Sequence, residues 1–106
     1  MSQLKTLPLN NEEILNTFEK IKTFVTDSKN SDYSNEIKLA FYKYYKQALY
    51  GDCYLPQPWF YDQLNRAKWD AWESVKGTSK LDAMMYYIDL YNTHKKNTED
   101  KDDNGV

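Results

Sequence analysis

The chain shows helical periodicity in its first segment, where apolar residues recur at i, i+4, i+7 and i+11. This spacing places them on one face of a helix. The stripe consists of Ile14, Phe18, Ile21 and Val25. An asparagine at the start, Asn10 or Asn11, is suited to cap the helix, because its side chain can accept a hydrogen bond from a free backbone N–H. We therefore predict a helix over Asn10–Val25.

A second helix follows a polar, turn-rich stretch, TDSKNSDYSN, which predicts a loop. Ser34 or Asn35 can cap this helix at its start. Gly51 predicts its end near Tyr50, because glycine readily adopts the left-handed conformation that closes a helix. We expect the helix to run from this cap to about Tyr50.

Two more helices are predicted in the second half of the chain. The stretch DCYLPQPWFYD contains two prolines and indicates an extended connection. Helical spacing then predicts a helix over Leu64–Val75, which ends at Gly77. Ser79 with Asp82 resembles a capping box with aspartate in the usual place of glutamate, and opens a fourth helix to about Lys96. The fold class is therefore all-α.

The second helix has two apolar faces, because each residue turns about 100° around the axis. One stripe is formed by Ile37, Phe41, Tyr44 and Ala48, the other by Leu39, Tyr42, Tyr45, Lys46 and Leu49, with a polar strip of Glu36, Lys43 and Gln47. One apolar stripe can face the core. The other requires a second cover, which is another helix, a partner protein or a ligand.

Lysines interrupt the apolar stripes of three helices. Lys46 lies in the second stripe of helix two, and Lys22 lies beside the stripe of helix one. Lys68 points into the apolar face of helix three, which is formed by Leu64, Ala67, Ala71, Trp72 and Val75. A single such lysine is explained by an aliphatic stem that packs on apolar surface while its ammonium reaches water. Lys46 and Lys68, each flanked by aromatic residues, favour a site that recognises apolar surface and an anion such as phosphate together.

Composition limits the classes of function. The chain has 106 residues, enough for one core, and its net charge of −2 does not favour nucleic acid or an anionic membrane. The sequence contains a single cysteine and no apolar run long enough for a signal peptide or a membrane span, so we predict a cytoplasmic protein. Residues 98–106 are charged and lack apolar anchors, and we predict a disordered acidic tail after a domain at 1–97.

Aromatic residues are abundant, with ten tyrosines, three tryptophans and four phenylalanines. A tyrosine ring can stack on a heterocycle or line an apolar groove while its hydroxyl bonds a phosphate or sugar oxygen. For Tyr33, Tyr50, Tyr54 and Tyr61 we favour the simpler interpretation that they cover loop and core surface.

Catalytic chemistry has few candidate residues. Cys53 and His94 are the only cysteine and histidine. A catalytic Cys–His pair is geometrically possible. His94, however, falls near the end of a helix, where the helix dipole favours a cation, and this explains the residue without catalysis. No cluster with metal-ligand spacing is visible in the sequence. We therefore predict no catalytic site, no metal site and no cofactor.

Three segments resemble the signature motifs of the acyl-CoA-binding protein family and occur in the family's order. YKQALYGD (45–52) is similar to the family's Tyr-Lys-Gln-Ala-x-x-Gly-Asp signature, AKWDAW (67–72) matches a second signature unbroken, and KGTSKLDAMMYYIDL (76–90) resembles a third block. The resemblance covers roughly Ile14 to Lys96. The chain differs from the family pattern at three places. Trp59 stands where a glycine is common, Asn65-Arg66 replaces a Gly-Lys pair, and the loop around 26–35 is longer. All three differences bear on the shape of the acyl groove.

The resemblance implies a four-helix bundle of up-down-down-up type that binds medium- to long-chain fatty acyl-CoA. The tail would lie in a groove, and lysines would hold the 3′-phosphate of the nucleotide. The family's ligand contacts fall on Tyr42, Tyr45, Lys46, Lys68 and Tyr87, with Lys22 a looser match.

Two classes of function are open at this point. The first is a monomeric, non-enzymatic carrier that sequesters long-chain acyl-CoA and delivers it to acyl-CoA-using enzymes. The second is a helical interaction module whose spare apolar face docks a partner helix. A thioesterase is a more distant third.

Overall fold

The computed structural model describes residues 10–27 and 33–104, with side chains described as far as His94. Within these residues it contains four helices and no strand: α1 (Asn11–Thr26), α2 (Asn35–Tyr50), α3 (Gln63–Glu73) and α4 (Lys80–Asn104). The all-α four-helix bundle predicted from the sequence is confirmed. Residues 28–32, which make up much of the predicted long first loop, lie outside the described residues.

The helix ends form at the predicted capping residues. Asn10 Oδ1 accepts from the backbone N–H of Glu13, and the Glu13 carboxylate accepts in return from the N–H of Asn10. The hydroxyl of Ser34 accepts from the N–H of Ile37 at the start of α2. Gly51 ends α2 with a φ of 81°, a conformation that favours glycine. Each cap satisfies a backbone group that the helix itself leaves unpaired.

The last two helices differ in extent from their predicted ranges. α3 begins one residue earlier than Leu64 and ends at Glu73, because the backbone then tightens into i→i+3 hydrogen bonds, such as that from the N–H of Lys76 to the carbonyl of Glu73. α4 starts after Ser79, whose hydroxyl accepts from the N–H of Asp82. It continues to Asn104, beyond the predicted end near Lys96, and no glycine or proline interrupts it. The domain limits at 1–97 and the disorder of the tail stay predictions.

The core lies between α1, α2 and α4 and is rich in aromatic side chains. Its buried members are Ile14, Phe18, Ile21, Phe41, Ala48, Ala83, Tyr87 and Ile88. Three of the four residues predicted for the stripe of helix one are buried, and Val25 is partly buried. α3 packs against α2 and contributes Trp72, which is fully buried. The rings of Phe18 and Phe41 each lie 5.1 Å from that of Tyr87, which joins α1 and α2 to α4.

Two positions contradict the face predictions. Leu64, predicted on the apolar face of helix three, is 70% exposed, because it lies in the first turn of α3 and no neighbouring element covers it. Gln47, predicted on a polar strip, is 0% exposed. Its Nε2 donates to Asp52 Oδ1 at 2.8 Å and to the carbonyl of Thr78 at 2.7 Å. These bonds allow a polar group to be buried where α2 meets the turn before α4.

The Gln47 contact belongs to a small polar cluster that fastens three parts of the chain. Asp52 Oδ1 also accepts from the backbone N–H of Gly77, and this bond, followed by that from Gln47, lowers the pKa of the Asp52 carboxyl. The indole N–H of Trp72 donates to the carbonyl of Gly51 at 2.9 Å. The cluster therefore fixes the end of α2 against α3 and against the turn that leads into α4.

Candidate functional site

The ring of Tyr42 lies at the centre of a cationic cluster. The Nζ atoms of Lys46 and Lys68 lie 5.8 Å and 5.1 Å from its centroid. Tyr42 and Lys46 are four residues apart on α2 and therefore share one face of it. The packing of α3 against α2 brings Lys68 to the same ring. The structure thus brings together two lysines that the sequence places on separate helices.

Lys46 lies among three aromatic rings. Besides Tyr42, its Nζ is 4.6 Å from the ring centroid of Tyr50 and 5.1 Å from that of Trp72. An ammonium over an aromatic face is attracted by the negative face of the ring. In the part of the chain that the structure describes, neither Lys46 nor Lys68 forms a salt bridge. Their positive charges are therefore available to an anion.

Lys22 lies in a different environment. Its Nζ is 2.7 Å from a carboxylate oxygen of Glu19, one turn away on α1. The same ammonium lies 5.9 Å from the ring centroid of Phe18 and 6.0 Å from that of Tyr45. Lys22 therefore approaches α2 at Tyr45 rather than at Tyr42, and a carboxylate partly neutralises its charge.

Two cavities meet at Tyr42. The larger, about 380 Å³, is mainly apolar and is lined by aromatic residues of α2 and α4, among them Phe41, Tyr42, Tyr45 and Tyr87. The smaller, about 220 Å³, lies between Tyr42 and α3 and contains Lys68, Trp69 and Trp72. Its wall also includes one carboxylate, Asp62, which accepts a hydrogen bond from Asn65. A mainly apolar cavity and a more polar one, which contains Lys68, are thus adjacent, with one tyrosine ring shared between them.

Burial raises the pKa of two tyrosines at this site. The pKa of Tyr42 is raised mainly by burial and to a smaller extent by the nearby Cys53. The pKa of Tyr87 is raised strongly, mainly by burial and to a smaller extent by Tyr45 and Tyr33. Both phenols are therefore neutral at ordinary pH and able to donate a hydrogen bond. Tyr87 is only 1% exposed and belongs to the core, and its side chain also lines the larger cavity.

The sequence reasoning missed several residues of the two cavities. Lys38 lines the larger one and lies one turn before Tyr42, so the same i, i+4 spacing could have found it. Tyr33, predicted to cover surface, also lines this cavity and packs on Phe41 at a centroid distance of 5.2 Å. Pro58 of the smaller cavity carries no periodic signal, because it lies in the irregular segment before α3. Asn65 lies on α3, where the sequence showed it as a departure from the family pattern but not as part of a cavity wall.

Among the described residues, no group of three or more histidine, cysteine, aspartate or glutamate side chains is placed to hold a metal ion. No helix in the described part is both long and apolar enough to cross a membrane.

Comparison with known proteins identifies the family. A family model described as "Acyl CoA binding protein" matches residues 15–91, which include all six predicted site residues. The chain belongs to the acyl-CoA-binding protein family. The resemblance stated from the three sequence motifs is therefore confirmed.

Relatives and solved structures of the acyl-CoA-binding protein family agree with this assignment. The chain is 54% identical over 56 residues to acyl-CoA-binding domain-containing protein 5 of Xenopus tropicalis, covering 53% of this chain and 12% of that protein. It is 42% identical over 82 residues to the acyl-CoA-binding domain-containing protein 6 homolog of Dictyostelium discoideum, covering 76% and 28%. The crystal structure of Oryza sativa Acyl-CoA-Binding Protein 2 superimposes with a TM-score of 0.75 at 32% identity, covering 81% of this chain and 92% of the other. The chain thus spans less than a third of these two curated relatives but most of the rice protein.

Proposed function

We propose that this protein binds fatty acyl-CoA esters of medium to long chain length at the two cavities that share Tyr42. The observation that carries the proposal is the position of Lys46 and Lys68 over one tyrosine ring, beside a larger apolar cavity. Membership of the acyl-CoA-binding protein family supports the class of ligand.

The two lysines suit the phosphate groups of coenzyme A. Lysine offers a compact positive charge with three donors, and neither ammonium has a salt-bridge partner among the described residues. The neutral phenol of Tyr42 can add a hydrogen bond to a phosphate oxygen. We propose that Lys46, Lys68 and Tyr42 hold the 3′-phosphate and that Lys22 and Tyr45 approach the rest of the nucleotide.

The larger cavity suits the apolar part of the ligand. Its aromatic walls, which include Tyr45, Phe41 and Tyr87, can exclude water from an acyl chain. Because head group and tail are tethered in one molecule, each strengthens the binding of the other. The intact ester is therefore expected to bind better than either part alone.

Calorimetric titration with palmitoyl-CoA, free coenzyme A and free palmitate tests the proposal. We expect palmitoyl-CoA to bind most tightly, coenzyme A more weakly and palmitate most weakly. Equal affinity for the ester and for free palmitate would contradict a site that binds the head group and the tail together. Binding without turnover is expected as well, with the thioester still intact by mass spectrometry after incubation, because the proposed role is that of a carrier rather than a thioesterase.

The proposed cellular role depends on tight binding of acyl-CoA. We propose that the protein sequesters acyl-CoA in the cytoplasm, shields its thioester from water and delivers it to acyl-CoA-using enzymes as a monomer. Family membership does not favour the rival interpretation of a module that docks a partner helix. Light scattering with and without palmitoyl-CoA tests the proposed monomeric state.

A further inference from the structure

The end of the segment between α2 and α3, together with the first turn of α3, carries a group of exposed apolar side chains. Trp59, Phe60, Tyr61 and Leu64 are 71%, 77%, 70% and 70% exposed. Large apolar side chains that lie together on a surface mark an interaction site, whereas single ones are ordinary. We refer to these four residues as the aromatic lip.

The backbone of this segment is held in place. The indole N–H of Trp69 on α3 donates to the carbonyl of Leu55 at 2.8 Å, and the N–H of Asp62 donates to the carbonyl of Trp59 at 3.0 Å. The rings of Trp59 and Tyr61 stack with a centroid distance of 6.1 Å and an interplanar angle of 9°. The lip is therefore presented outward by a fixed turn rather than folded back onto the protein.

The lip carries no charge of its own. Residues 53–61, CYLPQPWFY, contain no aspartate, glutamate, lysine or arginine. The two carboxylates that flank the segment are engaged within the fold: Asp52 accepts from Gln47 and Gly77, and Asp62 accepts from Asn65. A neutral surface with tryptophan and tyrosine rings matches the headgroup boundary of a neutral bilayer, where such rings bury their apolar body and keep a polar edge in water. Asp62 lies between Tyr61 and Leu64, and Arg66 follows on α3 in an ion pair with Asp70, so the charges next to the lip are of both signs and the four lip side chains themselves are neutral.

The lip is continuous with the proposed ligand site. Pro58 and Asn65, which line the smaller cavity with Lys68, are the chain neighbours of Trp59 and Leu64. A surface that covers the lip therefore lies beside the cationic opening. Fatty acyl-CoA is an amphiphile whose tail is stabilised in a bilayer by each buried methylene.

We propose that the aromatic lip docks on the surface of a neutral phospholipid bilayer and places the ligand opening beside the membrane. The role in ligand transfer rests on the proposed function, but membrane docking itself can be measured without the ligand. Trp59 and Phe60 are the principal anchors, because they are the two most exposed members of the lip.

The experiment uses the full chain and phosphatidylcholine vesicles. Flotation measures binding, and quenching by brominated phosphatidylcholine measures insertion of Trp59, since Trp72 is buried and Trp69 is partly buried. The double variant Trp59→Ser/Phe60→Ser is expected to bind vesicles at least about tenfold more weakly than the wild type, because two aromatic rings no longer leave water. The matched control Tyr86→Ser changes an aromatic residue on α4 that is 51% exposed, and it is expected to bind vesicles like the wild type.

Four outcomes show whether the lip binds a bilayer or a second copy of the chain. Vesicle binding that is lost in the double variant and kept in Tyr86→Ser supports the proposal. Absence of vesicle binding by the wild type overturns it, as does undiminished binding by the double variant. A dimer in sedimentation that the double variant abolishes would instead assign the lip to a second copy of the chain and overturn membrane docking.

Palmitoyl-CoA affinity without vesicles separates this proposal from the proposed function. Tyr86→Ser is expected to retain the wild-type affinity, and circular dichroism checks that both variants fold. A wild type that binds palmitoyl-CoA but not vesicles refutes the docking proposal alone. A wild type that binds vesicles through the lip but not palmitoyl-CoA refutes the proposed function alone.

Discussion

The ammonium group of Lys68 lies 5.1 Å from the ring centroid of Tyr42, although the two residues belong to α3 and α2. This contact joins the two helices at the point where the smaller cavity, which contains Lys68, meets the larger, mainly apolar one. A ligand with a charged head and an apolar tail could bind across this ring.

Replacing either lysine of the cluster should weaken ligand binding. A charge-assisted hydrogen bond at a partly buried site contributes about 1.5–3 kcal/mol, or roughly tenfold to a hundredfold or more in affinity. We expect Lys46→Ala and Lys68→Ala each to lose that much affinity for palmitoyl-CoA in calorimetry. The matched control is Lys43→Ala, because Lys43 also lies over a tyrosine ring, that of Tyr44, at 5.2 Å but away from Tyr42. Equal losses in all three variants would point to general electrostatics instead of a defined phosphate site.

The 3′-phosphate should account for most of the contribution of these two lysines. Dephospho-palmitoyl-CoA, which lacks that group, is expected to bind the wild type about as weakly as the full ester binds Lys46→Ala or Lys68→Ala. In either variant, removing the 3′-phosphate should change the affinity less than it does in the wild type, because the partner of the phosphate is already absent. Wild-type protein that binds both esters equally would rule out the phosphate–lysine contact.

Stability without ligand should depend little on Lys46. Lys46 is partly buried, and its contacts are with aromatic faces, each of which contributes about 0.5–1 kcal/mol at exposed sites and about 2 kcal/mol when desolvated. Because the ammonium has no salt-bridge partner among the described residues, the cost of keeping its charge away from water offsets much of this contribution. We expect Lys46→Ala to lower the free energy of unfolding by no more than about 1 kcal/mol. Urea denaturation measures this change. A much larger loss would mean that Lys46 is mainly a structural residue, and the affinity loss of the variant would then need to be reinterpreted.

Gln47 should matter more for folding than any lysine of the site. Gln47→Ala removes the donor to Asp52 and to the carbonyl of Thr78, and it leaves a space in a fully buried position. The loss of these two hydrogen bonds and the cavity together are expected to cost about 2–4 kcal/mol. Urea denaturation with Lys43→Ala as the control on the same helix measures the difference. A loss below about 0.5 kcal/mol, the range of ordinary surface substitutions, would contradict the role assigned to this contact.

The Asp52 carboxylate should make the protein less stable in acid. Its folded pKa lies below the ordinary 3.8, chiefly because it accepts from the backbone N–H of Gly77 and then from Gln47. A lowered pKa stabilises the fold above the ordinary value, and this stabilisation is lost as the pH falls through the folded pKa. We expect melting temperature to fall more steeply below pH ~4 in the wild type than in Asp52→Asn, which has no carboxyl to protonate at this position. Parallel acid profiles of the two proteins would show that Asp52 does not contribute.

Removal of the residues after Asn97 should leave affinity and stability essentially unchanged. The removed sequence, TEDKDDNGV, contains valine as its single apolar side chain, so it has little to bury against the bundle. Calorimetry with palmitoyl-CoA and a thermal melt of the truncated chain test this. A large fall in either would assign a role in the fold or in binding to the last residues of the chain.

The sequence by itself determined where α1, α2 and α4 begin and which face of α1 is buried. Capping depends on a side chain within three residues of the backbone group that it satisfies, so Asn10, Ser34 and Ser79 could be recognised locally. The stripe that contains Phe18 and Ile21 follows in the same way from the period of the helix. The family motifs, which are continuous in the chain, could be recognised for the same reason.

Only the tertiary structure decided what lies against each face. Periodicity gives the direction of Gln47 and Leu64 around their own helices, but burial depends on the neighbouring elements: the turn before α4 covers Gln47, and nothing covers Leu64. The same holds for the cationic cluster. The sequence indicated that Lys46 and Lys68 interrupt apolar stripes, whereas the packing of α3 on α2 decided that both ammonium groups meet the ring of Tyr42. Contacts within one helix follow from its geometry, but contacts between helices require their relative positions, which no local pattern encodes.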